Sequence, residues 1–189
     1  QDAFALHSHQ KAVHAQQQGW FDNELMPITV KTRKSEVVFA QDETPRPDTS
    51  LERLAKLKAV FKSGGTVTAG NSSPLNDGAA ALLLADEETA IAMGLRIRAK
   101  IVASASAGVN PRIMGIGPVP ASEKALKRAG LQASDIDLWE LNEAFAAQSL
   151  AVIRTLGLAE DTVNIQGGAI ALGHPLGCSG AKILTTLVH

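Results

Sequence analysis

From Thr66 onward the chain alternates short apolar runs with helical patterns, and glycines close most of the helices. Strands and helices in alternation build layered α/β structures, so α/β is the expected fold class. The strands are expected at Ala79 to Ala85, Lys100 to Ala107, Ile136 to Leu141 and Val163 to Gln166. Asp86 is placed to cap a short helix ending at Gly94. A second helix runs from Ala121 to Ala129, with Glu123 and Lys127 spaced as an i,i+4 pair and Gly130 behind it. A third begins at Asn142 and ends at Leu156, before Gly157. The last starts near Gly177 and continues to His189.

The upstream part follows a different rhythm. Gln1 to Gln18 reads as an Ala- and Gln-rich helix stopped near Gly19. Ile28 and Val30 alternate with polar residues, and Val37 to Phe39 follow the basic run Lys31 to Lys34, which predicts a hairpin between Met26 and Asp42. Pro45 and Pro47 break the chain. Thr49 and Glu52 have capping-box spacing, ahead of a stripe of Leu51, Leu54, Leu57 and Phe61. A division near residue 70 separates this irregular α+β portion from the alternating remainder.

Composition narrows the function classes. Of 189 residues, 45% are hydrophobic and 20% charged, which excludes a disordered chain. Aromatics make up 4% and tyrosine is absent, so alanine and small aliphatics must fill closely packed layers. A net charge of −1 argues against a general nucleic-acid binder or a polybasic membrane-surface protein. No apolar run approaches the roughly 20 residues of a membrane helix, and no signal peptide is visible. Cys178 is the single cysteine, so neither an internal disulfide nor a cysteine-rich zinc site can form.

The segment Gly167 to Lys182, GGAIALGHPLGCSGAK, sits between a strand and a helix. It matches neither phosphate-loop template. Its glycines permit sharp turns and close approach of another group. His174 is then either a catalytic base on a rigid turn or a hydrogen-bonded structural residue. Asn142 opens LNEAFAAQ at a strand-to-helix junction. It is either an N-cap or an amide aimed into the cleft at the strand's carboxyl end. Glu143 reads as a general base or, more simply, as a surface charge in the first helical turn. His7, His9 and His14 share one helix without metal-site spacing, and a solvated polar face accounts for them. Cys178 is either a thiol activated at a helix start or a small apolar side chain. The loop Val67 to Gly78 is rich in groups that bond amides and phosphates. Arg46, between two prolines, is available to an anionic ligand.

Taken in order, QDAFALHSHQKA, GTVTAGNSSPLNDGAAALLLA, IMGIGPVPASEKAL, LNEAFAAQ and GGAIALGHPLGCSGAK resemble the thiolases, the acetyl-CoA acetyltransferase and 3-ketoacyl-CoA thiolase family. The resemblance runs over nearly the whole chain. It implies that His174, in the GHP motif, activates a nucleophilic cysteine and, with Asn142, binds the thioester oxygen. It places Arg46 on the adenine of coenzyme A, Ser73 at the pantetheine, and Met114 and Phe145 in the wall of the acyl pocket. The resemblance also implies coenzyme A as a substrate, with no permanently bound cofactor and no metal. The implied partners are acyl-CoA and CoA, without nucleic acid or membrane, in a homodimer or homotetramer of the full-length protein. A cytoplasmic location is expected, with organellar targeting left open because the native amino terminus is not visible.

The family's two cysteines, the nucleophile and that of a C-x-G motif, are absent. The resemblance therefore implies the second half of a thiolase, short at both ends and inactive alone. Residues 1–70 would be part of the loop domain covering CoA. Residues 71–95 would close the first core domain of the α-β-α-β-α layered fold, and residues 96–189 would form an incomplete second core domain. A non-catalytic CoA-binding or assembly module is the alternative. A β-ketoacyl synthase is disfavoured because it needs a histidine pair and only His174 is suitably placed.

Overall fold

The computed structural model describes residues 1–189. The first helix, α1 (Asp2–Gln17), is the spine of the core. Ala5, Ala12 and Ala15 are wholly buried along it, and their short side chains let other backbones come close. A Cβ on Gly167 would lie 2.7 Å from Ala12 Cβ and from Ser8 O, so glycine is required where the chain crosses α1. Ala12 and Ala15 pack with Phe21, Ala171 and Leu172, while Ala5 packs with Leu54, Ala146 and Ile170. Burying apolar groups of this size contributes about 0.8 kcal/mol per CH₂.

Strands β1 (Ile28–Lys31) and β2 (Glu36–Phe39) form the expected antiparallel hairpin, with Ile28 opposite Phe39 and Lys31 opposite Glu36. The next helix, α2 (Leu51–Leu54), is far shorter than its apolar stripe suggests. Its cap is Ser50, whose hydroxyl accepts from Arg53 N–H, rather than Thr49. The chain leaves the helix for an antiparallel bridge between Ala59 and Thr68, in which Val60 N–H donates to Val67 O. That pairing competes with a further helical turn and exposes Phe61.

Helix α3 (Glu87–Ala92) is capped by Asp86 as expected, the carboxylate accepting from Thr89 N–H at 2.8 Å. Helices α4 (Pro118–Ala129) and α5 (Ala146–Leu156) end at Gly130 and Gly157, both left-handed. Helices α6 (Ala169–Leu172) and α7 (Ser179–Val188) close the chain. No helix is long and apolar enough to cross a membrane.

The strand expectations fail in two ways. Ile136–Leu141 and Val163–Gln166 meet only as one parallel bridge, Trp139 with Val163, closed by Asn164 N–H to Trp139 O at 2.8 Å. Residues 79–85 and 100–107 join no ladder at all. Leu83 is 84% exposed and Val102 69%, where buried strands were expected. A strand needs a neighbour for its backbone groups, and no other strand of this chain pairs with these two spans. Two carbonyls of the second span find side chains instead: Lys124 Nζ on Ser106 O at 3.2 Å, and the Arg128 guanidinium on Ser104 O.

Candidate active site

His174 and Asn142 come together although 32 positions separate them, with Nε2 of the ring 3.4 Å from the amide Nδ2. Asn142 is not a cap. Helix α5 begins at Ala146 with Phe145 before it, so the asparagine stands clear of the helix. Its Oδ1 is buried without a hydrogen-bond partner. The other side of the imidazole is fixed, Nδ1 lying 2.6 Å from Ser179 Oγ. That hydroxyl donates to Pro175 O at 3.1 Å, and His174 N–H donates to Pro74 O. Gly173, at φ +97°, turns the chain into the histidine where a Cβ would strike the Asn76 side chain.

The loop before Pro74 also reaches the other side of the site. Ser73 N–H donates to Ala144 O at 3.0 Å, and Ser72 pairs with Phe145. Ser73, Phe145, Asn142 and His174 therefore share one neighbourhood. The Phe145 ring meets Phe61 edge-on at 5.8 Å. Met114 is largely exposed in the 3-10 turn Pro111–Ile116, which rests on α5 through Gly115 and Gln148. Arg46 stands apart and exposed, joined to α1 by its backbone N–H on His9 Nδ1 at 3.1 Å. His9 is buried, which corrects the solvated-face reading, and burial together with the Arg46 charge holds its proton affinity below the ordinary value.

Glu143 departs furthest from expectation. It is not a surface charge but one of the most buried side chains in the molecule. Its carboxylate accepts from Ser8 Oγ at 2.7 Å, Asn164 Nδ2 at 2.8 Å and Ile170 N–H at 3.1 Å. Burial raises its pKa and those three bonds oppose the rise. Ser8, Asn164 and Ser179 carried no usable signal in the sequence, because each acts through a partner remote in the chain or hidden by the fold. Behind Asn142 and Ser179, Glu140 and Lys182 line a small enclosed space. Burial pushes the Glu140 carboxyl up to about 7, against the pull of Lys182. Cys178 is half-buried at the start of α7. It faces an open cleft of about 340 Å³ with Asn76, Gly78 and Pro175. No group of side chains is arranged to hold a metal ion.

Comparison with known proteins decides the family. The model of the thiolase carboxyl-terminal domain matches residues 95–189, and that of the thiolase amino-terminal domain matches residues 1–88. The chain belongs to the thiolase family. It is 56% identical over 189 residues to an acetyl-CoA acetyltransferase of Escherichia coli strain K12, and 58% over 191 residues to a beta-ketoadipyl-CoA thiolase of Pseudomonas knackmussii. Each comparison covers 100% of this chain and 48% of the relative, so the thiolase chain described here spans about half the length of its curated relatives. The crystal structure of the Bacillus anthracis acetyl-CoA acetyltransferase superposes with a TM-score of 0.98 at 51% identity, over 100% of this chain and 48% of that one. Human mitochondrial 3-ketoacyl-CoA thiolase gives 0.91 at 47% identity, with the same coverage. The α/β thiolase fold is thereby shown for this chain.

Proposed function

We propose that this chain is the part of a CoA-dependent thiolase that stabilises charge on the reacting thioester. The full-length enzyme would cleave a 3-ketoacyl-CoA with CoA, or condense two molecules of acetyl-CoA. The observation that carries the reading is the pairing of His174 Nε2 with the Asn142 amide while Ser179 holds Nδ1. In this reading the Ser179 hydroxyl gives its one proton to Pro175 O and accepts from Nδ1–H. The Nε2 lone pair then faces the site.

Nε2, whose one hydrogen-bond neighbour is the Asn142 amide, takes the proton of a nucleophilic thiol, which is mostly unionised at neutral pH with its free pKa near 8.5. The thiolate attacks the 3-keto carbonyl, the bond between the α and β carbons breaks, and the electron pair leaves as the enolate of acetyl-CoA. Donors fixed beforehand at the oxygen that gains charge lower that barrier, and removing one typically costs about 10²–10³ in rate. The nucleophile, and the acid that protonates the enolate carbon, belong to cysteines outside this chain. Cys178 serves neither role in this reading, since its thiol makes no hydrogen bond to His174 and faces the cleft lined by Asn76, Gly78 and Pro175.

The rest of the proposal assigns Ser73 to the pantetheine, Phe145 and Met114 to the acyl pocket, and Arg46 to the adenine. The bridge between Ser72 and Phe145 supports the first two by keeping pantetheine and acyl sites adjacent. Residues 1–70 would cover CoA, residues 71–95 would complete the first core domain, and residues 96–189 would form most of the second. A homo-oligomer and cytoplasmic acyl-CoA pools complete the reading. The second reading, a CoA-binding or assembly module, is favoured by one fact: Cys178 is the only cysteine.

Steady-state thiolysis of acetoacetyl-CoA by the full-length enzyme separates these roles. His174→Ala should lower kcat about 10²–10³-fold with little change in KM. Arg46→Ala should raise KM and leave kcat, because the adenine is remote from the reacting atoms. A His174→Ala enzyme with the parental kcat overturns the assignment.

A further inference from the structure

Asn142 and Glu143 are consecutive, yet one faces the site and the other the core. The Glu143 carboxylate lies beneath Gly168, where any Cβ would collide with it. Three donors from three parts of the chain converge on it: Ser8 Oγ on α1, Asn164 Nδ2, and Ile170 N–H in the first turn of α6. Two of these partners are locked in turn. Ser8 Oγ accepts Gly168 N–H at 3.1 Å, and Asn164 pairs both ends of its amide with Leu141, at 2.7 and 2.8 Å. Asn164 also holds a left-handed backbone, φ 47°, which asparagine tolerates better than most residues. No cation pairs with Glu143, as the three ion pairs of the molecule are all at its surface.

Both oxygens of Glu143 are met only by donors, so a proton on either would face an N–H or O–H. The arrangement suits the ionised form, and a carboxylate buried without a counter-ion is costly to keep. What the charge achieves is a fixed link. The chain on one side carries Asn142, immediately before Glu143. The chain on the other carries His174, four positions after Ile170.

We propose that Glu143 is a positioning residue: its carboxylate ties the Asn142 loop to the turn that leads to His174 and so sets the separation of the two reacting side chains. This rests on the roles given above to His174 and Asn142. Glutamine is nearly the same shape but cannot replace it. With its amide nitrogen toward Ile170 it meets a backbone N–H. With that nitrogen toward Asn164 it meets an amide that Leu141 prevents from turning.

The test uses the full-length enzyme and compares Glu143→Gln, Asn142→Ala, His174→Ala and the double variant Glu143→Gln/Asn142→Ala. Glu143→Gln should lower kcat about 10–100-fold at unchanged KM, the scale of a misplaced reacting group. In the Asn142→Ala background the same change should cost no more than about twofold, because a link that acts through Asn142 has nothing left to position. Equal losses in both backgrounds would show a purely structural role and overturn the proposal. So would a folded Glu143→Gln enzyme with parental kcat while His174→Ala loses it. If His174→Ala and Asn142→Ala both keep kcat, the functional reading itself has failed. Should Glu143→Gln not fold, Ser8→Ala removes one donor at little change in volume. Its kcat should fall in the parental background and not in Asn142→Ala, and an additive loss overturns the proposal.

Discussion

Residues 139–172 and residues 79–107 look alike as sequence, each offering short apolar runs beside a helix. They differ completely once folded. The first region packs on α1: Val152, Ile153, Val163 and Ile170 are buried, and Glu143 and Asn164 have bonded partners. The second leaves Leu83, Leu84, Ile101 and Val102 mostly in water, and none of its expected strands forms a ladder. Apolar alternation specifies a face to be covered; it does not supply the cover. Residues 139–172 find theirs in α1, whereas no strand of this chain pairs with residues 79–85 or 100–107, and their large apolar side chains stay exposed.

The largest expected contrast is in amide exchange of the 189-residue chain. Asn164 N–H, Ile170 N–H and Ala171 N–H all have acceptors in the packed region. No amide of residues 79–85 or 100–107 has a backbone acceptor. Exchange in the second group should be faster by a factor on the order of 10³ or more, tracking local stability. Equal protection in both groups would break the comparison.

Next in size is a pair of substitutions followed by urea denaturation. Gly168→Ala drives a Cβ into the Glu143 carboxylate and should cost about 3 kcal/mol. Leu83→Ala should stay within about 0.5 kcal/mol in this chain, since the side chain is already exposed. In the full-length enzyme the same Leu83→Ala should cost about 2–4 kcal/mol if the upstream half covers that face. An unchanged value there would mean that the face stays open.

What could be read from the sequence follows the same division. Local signals were legible: the hairpin, the Asp86 cap, and the left-handed glycines at 130 and 157 all depend on residues within a few positions. The family motifs pointed to His174 and Asn142, and the fold brings the two together. Glu143 was hidden because its position before α5 resembles an ordinary first-turn acid, and only the return of residues 164–170 reveals it as buried. The α2 stripe misled because pairing of Ala59 with Thr68, a longer-range choice, overrode helical periodicity. The two missing strands were read as apolar segments, but a ladder is a property of two segments, and neither span meets a second strand in this chain.

A smaller effect separates the packed region by pH. The Glu140 carboxyl, ordinarily near 4.5, is held at about 7 by burial, partly offset by Lys182. Between those two values the folded chain binds this proton more tightly than the unfolded chain. Its contribution to stability is therefore complete below about pH 4.5 and is lost as the pH rises through about 7. Thermal midpoints at pH 5 and pH 8 should differ in that direction, and Glu140→Gln should narrow the difference mainly by raising the pH 8 value. Lys182→Met removes the favourable charge and should move the loss to higher pH. A Glu140→Gln variant with the parental pH dependence would assign the effect elsewhere.

Cys178 lies across a cleft from the edge of the uncovered span, and the smallest effect is expected there. A cleft runs between Pro175 and Cys178 on one side and Asn76 to Ala80 on the other, at the edge of the uncovered span. The thiol is half-buried at the start of α7. A nucleophile needs a base within hydrogen-bond reach. The only imidazole nearby is His174, with Nδ1 on Ser179 and Nε2 beside Asn142, and the Cys178 thiol makes no hydrogen bond to either nitrogen. The backbone of Cys178 is itself part of the turn, its N–H on Pro175 O and its carbonyl accepting from Lys182 N–H. Neither bond involves the side chain, so replacing the thiol leaves the turn intact. Cys178→Ala in the full-length enzyme should therefore keep the parental kcat and change stability by less than about 1 kcal/mol. Labelled acetyl-CoA, followed by digestion and peptide mapping, gives the decisive readout: acetyl label on the Cys178 peptide would make this thiol a nucleophile and remove the need for one from outside the chain.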